Sequence, residues 1–165
     1  MRSYLVVAFL LIFSTACTPT LSREALVLVD ADITFEQLHS NPDSYAGRHV
    51  LLGGAIAAAR IADGGGELEI VHLPTDQRGR VTDTQRSAGR FIATDEIFRD
   101  PAIFQQGRLV TVVGQVVGSR VGRIGEADYR FPLIRVEELH LWPAREPPEA
   151  GGVRFGIGLG IGIFR

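Results

Sequence analysis

The chain has 165 residues, a formal net charge of −2 at pH 7 and a single cysteine. This length suffices for one domain with a hydrophobic core of its own. The mildly acidic balance gives no general attraction for nucleic acid. One cysteine excludes an internal disulfide, so the domain must be stabilised by packing alone.

The N-terminal segment has the layout of a secretion signal. Arg2 supplies a positive charge, residues 4–13 are apolar, and residues 14–16 are small. As a helix the apolar run would be about 15 Å long, half of a bilayer core of about 30 Å. We therefore predict a signal peptide over residues 1–16 rather than a membrane-spanning helix.

Cys17 stands directly behind these small residues, in the stretch STAC. This stretch resembles the lipobox of bacterial lipoproteins. The resemblance implies cleavage after Ala16 by the lipoprotein processing and sorting machinery, and a Cys17 that carries S-diacylglycerol and an N-palmitoyl chain. The residue after Cys17 is Thr18 and not aspartate, so the resemblance also implies that the protein is located in the outer membrane. The alternative is an ordinary secretion signal with a chance cysteine.

The next segment, residues 17–33, is predicted to be a lipidated N-terminus and tether. The apolar run at residues 25–29 is interpreted as a first strand that packs on the edge of the domain. Thr34 and Gln37, three residues apart, have the spacing of a capping box. They predict a short helix that begins after Thr34.

Residues 34–143 show the alternation and the turn residues of an all-β domain. In one stretch Leu68, Ile70 and His72 fall on one face, while Glu67 and Glu69 fall on the other. Five or six such strands with little helix predict a small, closed or half-open β-barrel. The stretches predicted as strands are VLLGGAIAAARI, GELEIVHLP, GRFIATDE, GRLVTVVGQVVGSRV and YRFPLIRVEELHLW.

The chain contains an internal repeat, NPDSYAGRHVLLGG and DPAIFQQGRLVTVVG. Both copies have Asn or Asp before Pro, then an aromatic residue, a Gly-Arg pair, and a glycine seven residues beyond the first. These features predict a helix N-cap, a core contact, a left-handed turn and a bend or bulge in a strand. The matching pairs are Asn41 and Asp100, Tyr45 and Phe104, Gly47 and Gly107, and Gly54 and Gly114.

These stretches, with GRFIATDEIFRDP and the terminal LHLWP, resemble the Slp family of outer-membrane lipoproteins over most of residues 34–142. The resemblance implies an OB-like β-barrel with one or two short helices, anchored on the periplasmic or surface side of the outer membrane. It implies no catalytic activity and no cofactor. We expect a structural or stress-related role in the cell envelope. The alternatives are an OB-like binding module for a glycan or anionic envelope ligand and, third, a hydrolase of cell-wall material.

The residues give no sign of catalytic or metal chemistry. The four histidines have no metal-ligand spacing. These histidines are His39, His49, His72 and His140. The sequence contains neither a nucleophile elbow nor a P-loop. Glu67 and Glu69 share a strand face, as a glycosidase pair shares a cleft. Since nothing provides an opposing sugar site, we expect a solvated face.

The segment at residues 75–90 carries four arginines and is expected to be an exposed loop. Contact with anionic headgroups or phosphates is the weaker alternative, and binding of nucleic acid is not expected because few aromatic residues interleave. Trp142 ends the last predicted strand and is interpreted as a barrel plug or an interfacial ring.

The C-terminal part is predicted as a Pro/Gly-rich hinge (residues 144–152) and an apolar strand or tail (residues 153–165). After Arg154 the apolar residues alternate with glycine, and this period of two is typical of a strand. A lone strand in lipid would leave its backbone unpaired. We therefore expect it to pair with the edge of the domain, with copies of itself or with a partner barrel.

Overall fold

The computed structural model describes residues 20–62, 65–97 and 99–144. Two α-helices and a 3₁₀ helix precede five strands. They are α1 (Arg23–Leu28), α2 (Phe35–Ser40), the 3₁₀ helix (Pro42–Tyr45), β1 (His49–Ala62), β2 (Gly65–Leu73), β3 (Arg90–Asp95), β4 (Leu109–Ile124) and β5 (Ala127–Leu141). The predicted signal peptide, Cys17 and the apolar C-terminal segment lie outside the described residues.

The five strands form a closed barrel in the order β1-β2-β3-β5-β4. Neighbouring strands are antiparallel except for β3 and β5, which run parallel, with Ile92 opposite Leu133. This five-stranded arrangement with one crossover is that of OB-folds. The predicted all-β, OB-like barrel with short helices is therefore confirmed, and the barrel is closed rather than half open.

The two copies of the internal repeat pair with each other where β1 meets β4. Val50 lies opposite Gly114, and Gly54 lies opposite Val110. The valine of each copy thus faces the last glycine of the other copy across an antiparallel ladder. The repeat is therefore a local two-fold device that closes the barrel along this seam.

The four repeat glycines have two different roles. Gly47 and Gly107 have φ values of +86° and +85°, which confirms the predicted left-handed turns before each strand. A Cβ added to Gly54 or Gly114 would overlap a carbonyl oxygen of the neighbouring strand. A register shift occurs at Gly114, whereas that of β1 lies further along the strand. The predicted bulge is thus present at Gly114, and Gly54 serves close backbone approach alone.

The barrel interior is filled by side chains that point inward from alternate strand positions. Ile56, Ile70, Val112 and Ile134 are fully buried there. At one end α2 closes the barrel, since its Phe35 and Leu38 side chains are buried in the same core. The capping box of Thr34 and Gln37 forms as predicted, with both reciprocal hydrogen bonds. The helix is thus fixed where its apolar face meets the barrel.

The predicted side-chain N-cap of a helix forms in neither repeat copy. Residues 101–104 form a turn rather than a helix. Asp100 Oδ1 accepts from the amide of Ala102 over 2.8 Å. Asn41 occupies the N-cap position of the 3₁₀ helix, but its side chain makes no cap hydrogen bond. The aromatic residues of the repeat, Tyr45 and Phe104, both pack against the core as expected.

Residues 25–29 lie largely in α1, so their prediction as a strand is wrong. The hydroxyl of Ser22 accepts from the amide of Ala25 over 3.1 Å and thereby caps the helix. Leu21 and Ala25 pack against Val113 of β4. Because a cap is present and only one face of this run is buried, the helix is favoured over a strand. The expected packing on the barrel is nevertheless present.

Candidate functional site

The chain is fastened to the barrel at Ser22. Its amide donates to Glu138 Oε1 over 2.9 Å and to Oε2 over 3.2 Å, and its hydroxyl donates to Oε2 over 2.6 Å. Leu21 beside it is only 2% exposed. We call Leu21, Ser22 and Glu138 the N-terminal clasp. It fixes the chain to β5 four residues after Cys17.

A network of ion pairs covers the outer face of β2. Arg120 Nη2 lies 2.6 Å from Glu67 Oε2, and Arg90 Nη1 lies 2.7 Å from Glu69 Oε1. The guanidinium of Arg60 lies 3.6 Å from both carboxylates. We call these five residues the arginine groove. Glu67 is only 8% exposed. The expectation that Glu67 and Glu69 lie on a solvated strand face is therefore wrong.

The arginine groove borders a cavity of about 280 Å³ near the turns that join β1 to β2 and β4 to β5. Ile92, Val121 and Phe131 supply apolar lining, and Arg123 adds a further positive charge. Ligands of OB-folds bind on the face of the second and third strands, between these two turns. The cavity therefore occupies the position at which such barrels recognise oligomeric ligands.

The charge of this region suits binding more than proton transfer. Each carboxylate, Glu67 and Glu69, has an arginine at hydrogen-bond distance. Arginine keeps its proton in proteins, so its guanidinium group cannot act as a general acid or a general base. With Arg123 included, four guanidinium groups face two carboxylates. The surplus of positive charge favours an anionic ligand.

His72 is withdrawn from solvent into an aromatic cluster. Its ring stacks on that of Phe35 with 4.0 Å between centroids and 3° between planes. Burial lowers the pKa of His72 to about 4, against the opposing charge of Glu36. Nδ1 has no hydrogen-bond partner among the described residues. The ring is therefore neutral at physiological pH and contributes to packing.

The other histidines lie apart from one another and from the arginine groove. His49 pairs with Glu137 over 2.9 Å. His140 meets Trp142 edge to face, and burial lowers its pKa. His39 lies beside Phe35. Across residues 20–62, 65–97 and 99–144, no group of three or more His, Cys, Asp or Glu side chains could hold a metal ion.

The arginine-rich loop is attached to the barrel through Trp142. The hydroxyl of Thr111 donates to the carbonyl of Gly79 and accepts from Trp142 Nε1, the latter over 2.9 Å. The guanidinium of Arg80 lies 5.7 Å from the centre of the Trp142 ring. Three of the four arginines are exposed, as predicted, whereas Arg90 starts β3 and pairs with Glu69. Trp142 therefore fastens a loop rather than plugging the barrel.

The outer membrane lipoprotein Slp family matches residues 15–155, a span that includes the whole barrel. The chain belongs to this family. It is 37% identical over 103 residues to the uncharacterized lipoprotein YeaY of Escherichia coli (strain K12), covering 62% of this chain and 53% of YeaY. It is 26% identical over 117 residues to the outer membrane protein Slp of the same strain, covering 71% and 62% respectively.

Membership confirms the expected family and the outer-membrane location of this lipoprotein. No catalytic activity is indicated for the family. The chain spans between half and two thirds of the length of the curated relatives it matches. In the described part of the chain, no helix is long and apolar enough to cross a bilayer.

Among solved structures, the chain is similar to mitochondrial single-stranded DNA binding protein Rim1 of S. cerevisiae. The TM-score is 0.34 at 16% identity, covering 58% of this chain and 94% of that chain. It is also similar to the Plasmodium falciparum SSB in complex with ssDNA, with a TM-score of 0.30 at 14% identity and the same coverage.

Proposed function

We propose that this protein is a lipid-anchored, non-catalytic barrel with a structural or stress-related role in the cell envelope. Cleavage after Ala16 leaves Cys17 as the N-terminal residue, and Cys17 carries S-diacylglycerol and an N-palmitoyl chain. The observation that carries the proposal is the match of the outer membrane lipoprotein Slp family to residues 15–155, a span that includes Cys17. The N-terminal clasp supports it, because it holds the chain on the barrel four residues after Cys17.

The contacts of the titratable groups in and near the arginine groove support the non-catalytic part of the proposal. In the described residues both groove carboxylates are neutralised by arginine. The most withdrawn histidine, His72, stacks on Phe35 and faces the core. A general acid or base must reach a substrate atom directly or through one water molecule. Each of these groups is engaged in a structural contact instead, the carboxylates with arginine and His72 with Phe35.

The test is the intact mass of the protein extracted from membranes, compared with a Cys17→Ser variant. We expect the mass of residues 17–165 plus diacylglycerol and one further acyl chain. The variant is expected to lose all acyl mass, because a serine hydroxyl does not replace the thiol in this transfer. A wild-type chain cut elsewhere and free of lipid would overturn the proposal.

A second candidate function is a binding module for an anionic envelope ligand, such as an acidic glycan. The surplus of guanidinium groups at the arginine groove favours it, since charge-assisted bonds to carboxylate or phosphate are the strong ones. The apolar side chains of Ile92 and Val121 beside these charges suit the faces of sugar rings.

Thermal unfolding with inorganic pyrophosphate and with an oligoglucuronate tests this second candidate. Either probe is expected to raise the melting temperature of the wild type, and to raise that of Arg123→Gln less. Arg78→Gln, in the exposed loop, is the matched control that keeps the full shift. Shifts of equal size in all three proteins, or none in any, would remove the groove as the binding site.

A further inference from the structure

Two apolar side chains of α1 point away from the barrel. Val27 is 84% exposed and Leu28 is 53% exposed. On the other side of the same short helix, Ala25 is buried against the barrel. The helix therefore has one apolar side that is covered by protein and a second that is open, directly beside the N-terminal clasp.

The covalent chain limits how far this open side can lie from the lipid. A fully extended chain spans at most about 3.6 Å per residue, so Cys17 lies within about 14 Å of Leu21 whatever its path. The headgroup layer of one leaflet is only about 5 to 8 Å thick, which is half the difference between a whole bilayer and its hydrocarbon core. Acyl chains on Cys17 therefore keep Leu21 within about 14 Å of the leaflet surface, and α1 begins two residues later.

We propose that α1 rests on the leaflet that holds the lipidated cysteine, with Val27 and Leu28 in the interface. This inference rests on the proposed lipidation of Cys17. The clasp opposes any greater separation, because the chain would have to give up three hydrogen bonds to Glu138 and expose Leu21. The acylated Cys17 thus places the bilayer next to this side of the barrel.

The contact lies far from the arginine groove along β1. Leu51, near the start of β1, packs against the cluster of α1. Arg60 of the arginine groove lies nine residues further along the same strand, about 30 Å at the rise of a β-strand. With α1 on the membrane, the arginine groove is separated from the contact by most of the length of β1.

Site-specific fluorescence quenching tests this orientation in the acylated, full-length mature protein. Because Cys17 is the only cysteine and is blocked by lipid, an introduced cysteine is the single free thiol. Val27→Cys and the matched control Ile61→Cys replace residues that are 84% and 69% exposed, the latter far along β1. Each is labelled with bimane and reconstituted into phosphatidylethanolamine–phosphatidylglycerol vesicles that contain a spin-labelled lipid.

We expect the spin-labelled lipid to quench the label at position 27 and to leave the label at position 61 bright. Equal fluorescence at both positions, with acyl chains present in the intact mass, would overturn the orientation and leave the lipid anchor standing. Absence of the acyl mass would instead overturn the proposed function itself. Quenching at position 27 that depends on protein density rather than on quencher lipid would identify a second copy as the occupant and reject the bilayer.

Discussion

Ser22 and Glu138 are 116 residues apart in the chain, yet the serine hydroxyl donates to the carboxylate over 2.6 Å. The same hydroxyl accepts from the amide of Ala25 and caps α1. One side chain therefore joins the segment before α1 to β5 and also fixes this helix. Through this link the described segment nearest the proposed lipid anchor at Cys17 is part of the barrel.

Glu138→Ala is expected to free α1 from the barrel. It removes three hydrogen bonds from a partly buried carboxylate, and we expect the free energy of unfolding to fall by about 1 to 2 kcal/mol. Urea unfolding measures the loss, and hydrogen exchange of the Ala25 amide reports the local release. Glu137→Ala, which breaks a more exposed pair with His49, is expected to cost less than about 1 kcal/mol. Equal losses in the two variants would refute a special role for the clasp.

Substitution of the repeat glycines by alanine should separate steric overlap from backbone strain. Gly54→Ala and Gly114→Ala place a Cβ against a carbonyl oxygen of the next strand, so we expect losses of about 3 kcal/mol or failure to fold. Gly47→Ala meets no atom within 4 Å, and its positive φ should cost only about 1 to 2 kcal/mol. Thermal and urea unfolding would show this order.

Asparagine distinguishes the two causes further. Gly47→Asn should recover part of the loss seen in Gly47→Ala, because asparagine tolerates left-handed backbone better than alanine. Gly54→Asn should recover nothing, since the overlap with the neighbouring strand remains. Recovery at position 54 would mean that the backbone approach is not what requires this glycine.

The sequence predicts the barrel well because alternation and turn glycines are local signals. Leu68 and Ile70 are buried and Glu67 faces outward, as the period of two requires. The same signal cannot tell what covers the outer face. Arg120, which closes over Glu67, comes from 53 residues further along the chain. The assignment of a solvated carboxylate pair was wrong for this reason.

The sequence did not predict helix α1, for a related reason. The run at residues 25–29 is apolar throughout and has no clear period, so helix and strand are hard to separate there. The deciding contacts are the cap by Ser22 and the docking of Leu21 on Val113. The second of these is a tertiary contact that no local pattern contains. The contact between Ser22 and Glu138 could not be predicted from the sequence for the same reason.

Arg120→Met should leave the nearly buried Glu67 carboxylate with only the longer contact to Arg60. We expect a loss of about 1 to 3 kcal/mol in the free energy of unfolding, because a buried charge without a close partner is costly. In a double variant with Glu67→Gln the loss should be smaller than the sum of the two single losses. Arg123→Gln, at the rim of the same cavity, serves as the control. Strictly additive losses would show that the pair does not interact.

The free energy of unfolding of the barrel should fall in mild acid because of His72. Its pKa is about 4 in the folded protein and 6.5 in the unfolded chain, so the unfolded chain binds the proton more readily. The stability that this histidine contributes is complete above about pH 6.5 and is lost as the pH falls towards 4. Between pH 7.5 and 5 the full linkage effect is about 2 kcal/mol, and we expect about 1 kcal/mol because the ring is partly exposed.

His72→Phe keeps the stacked contact with Phe35 and removes the titrating group together with its unpartnered Nδ1. The free energy of unfolding from urea titrations at pH 7.5 and 5.0 should therefore fall less in the variant than in the wild type. His140, whose pKa burial also lowers, leaves a residual decrease of the same sign in the variant. An identical decrease in both proteins would show that His72 takes up its proton in the folded barrel as readily as in the unfolded chain. The stacked contact with Phe35 would then not withdraw the ring from water enough to lower its pKa.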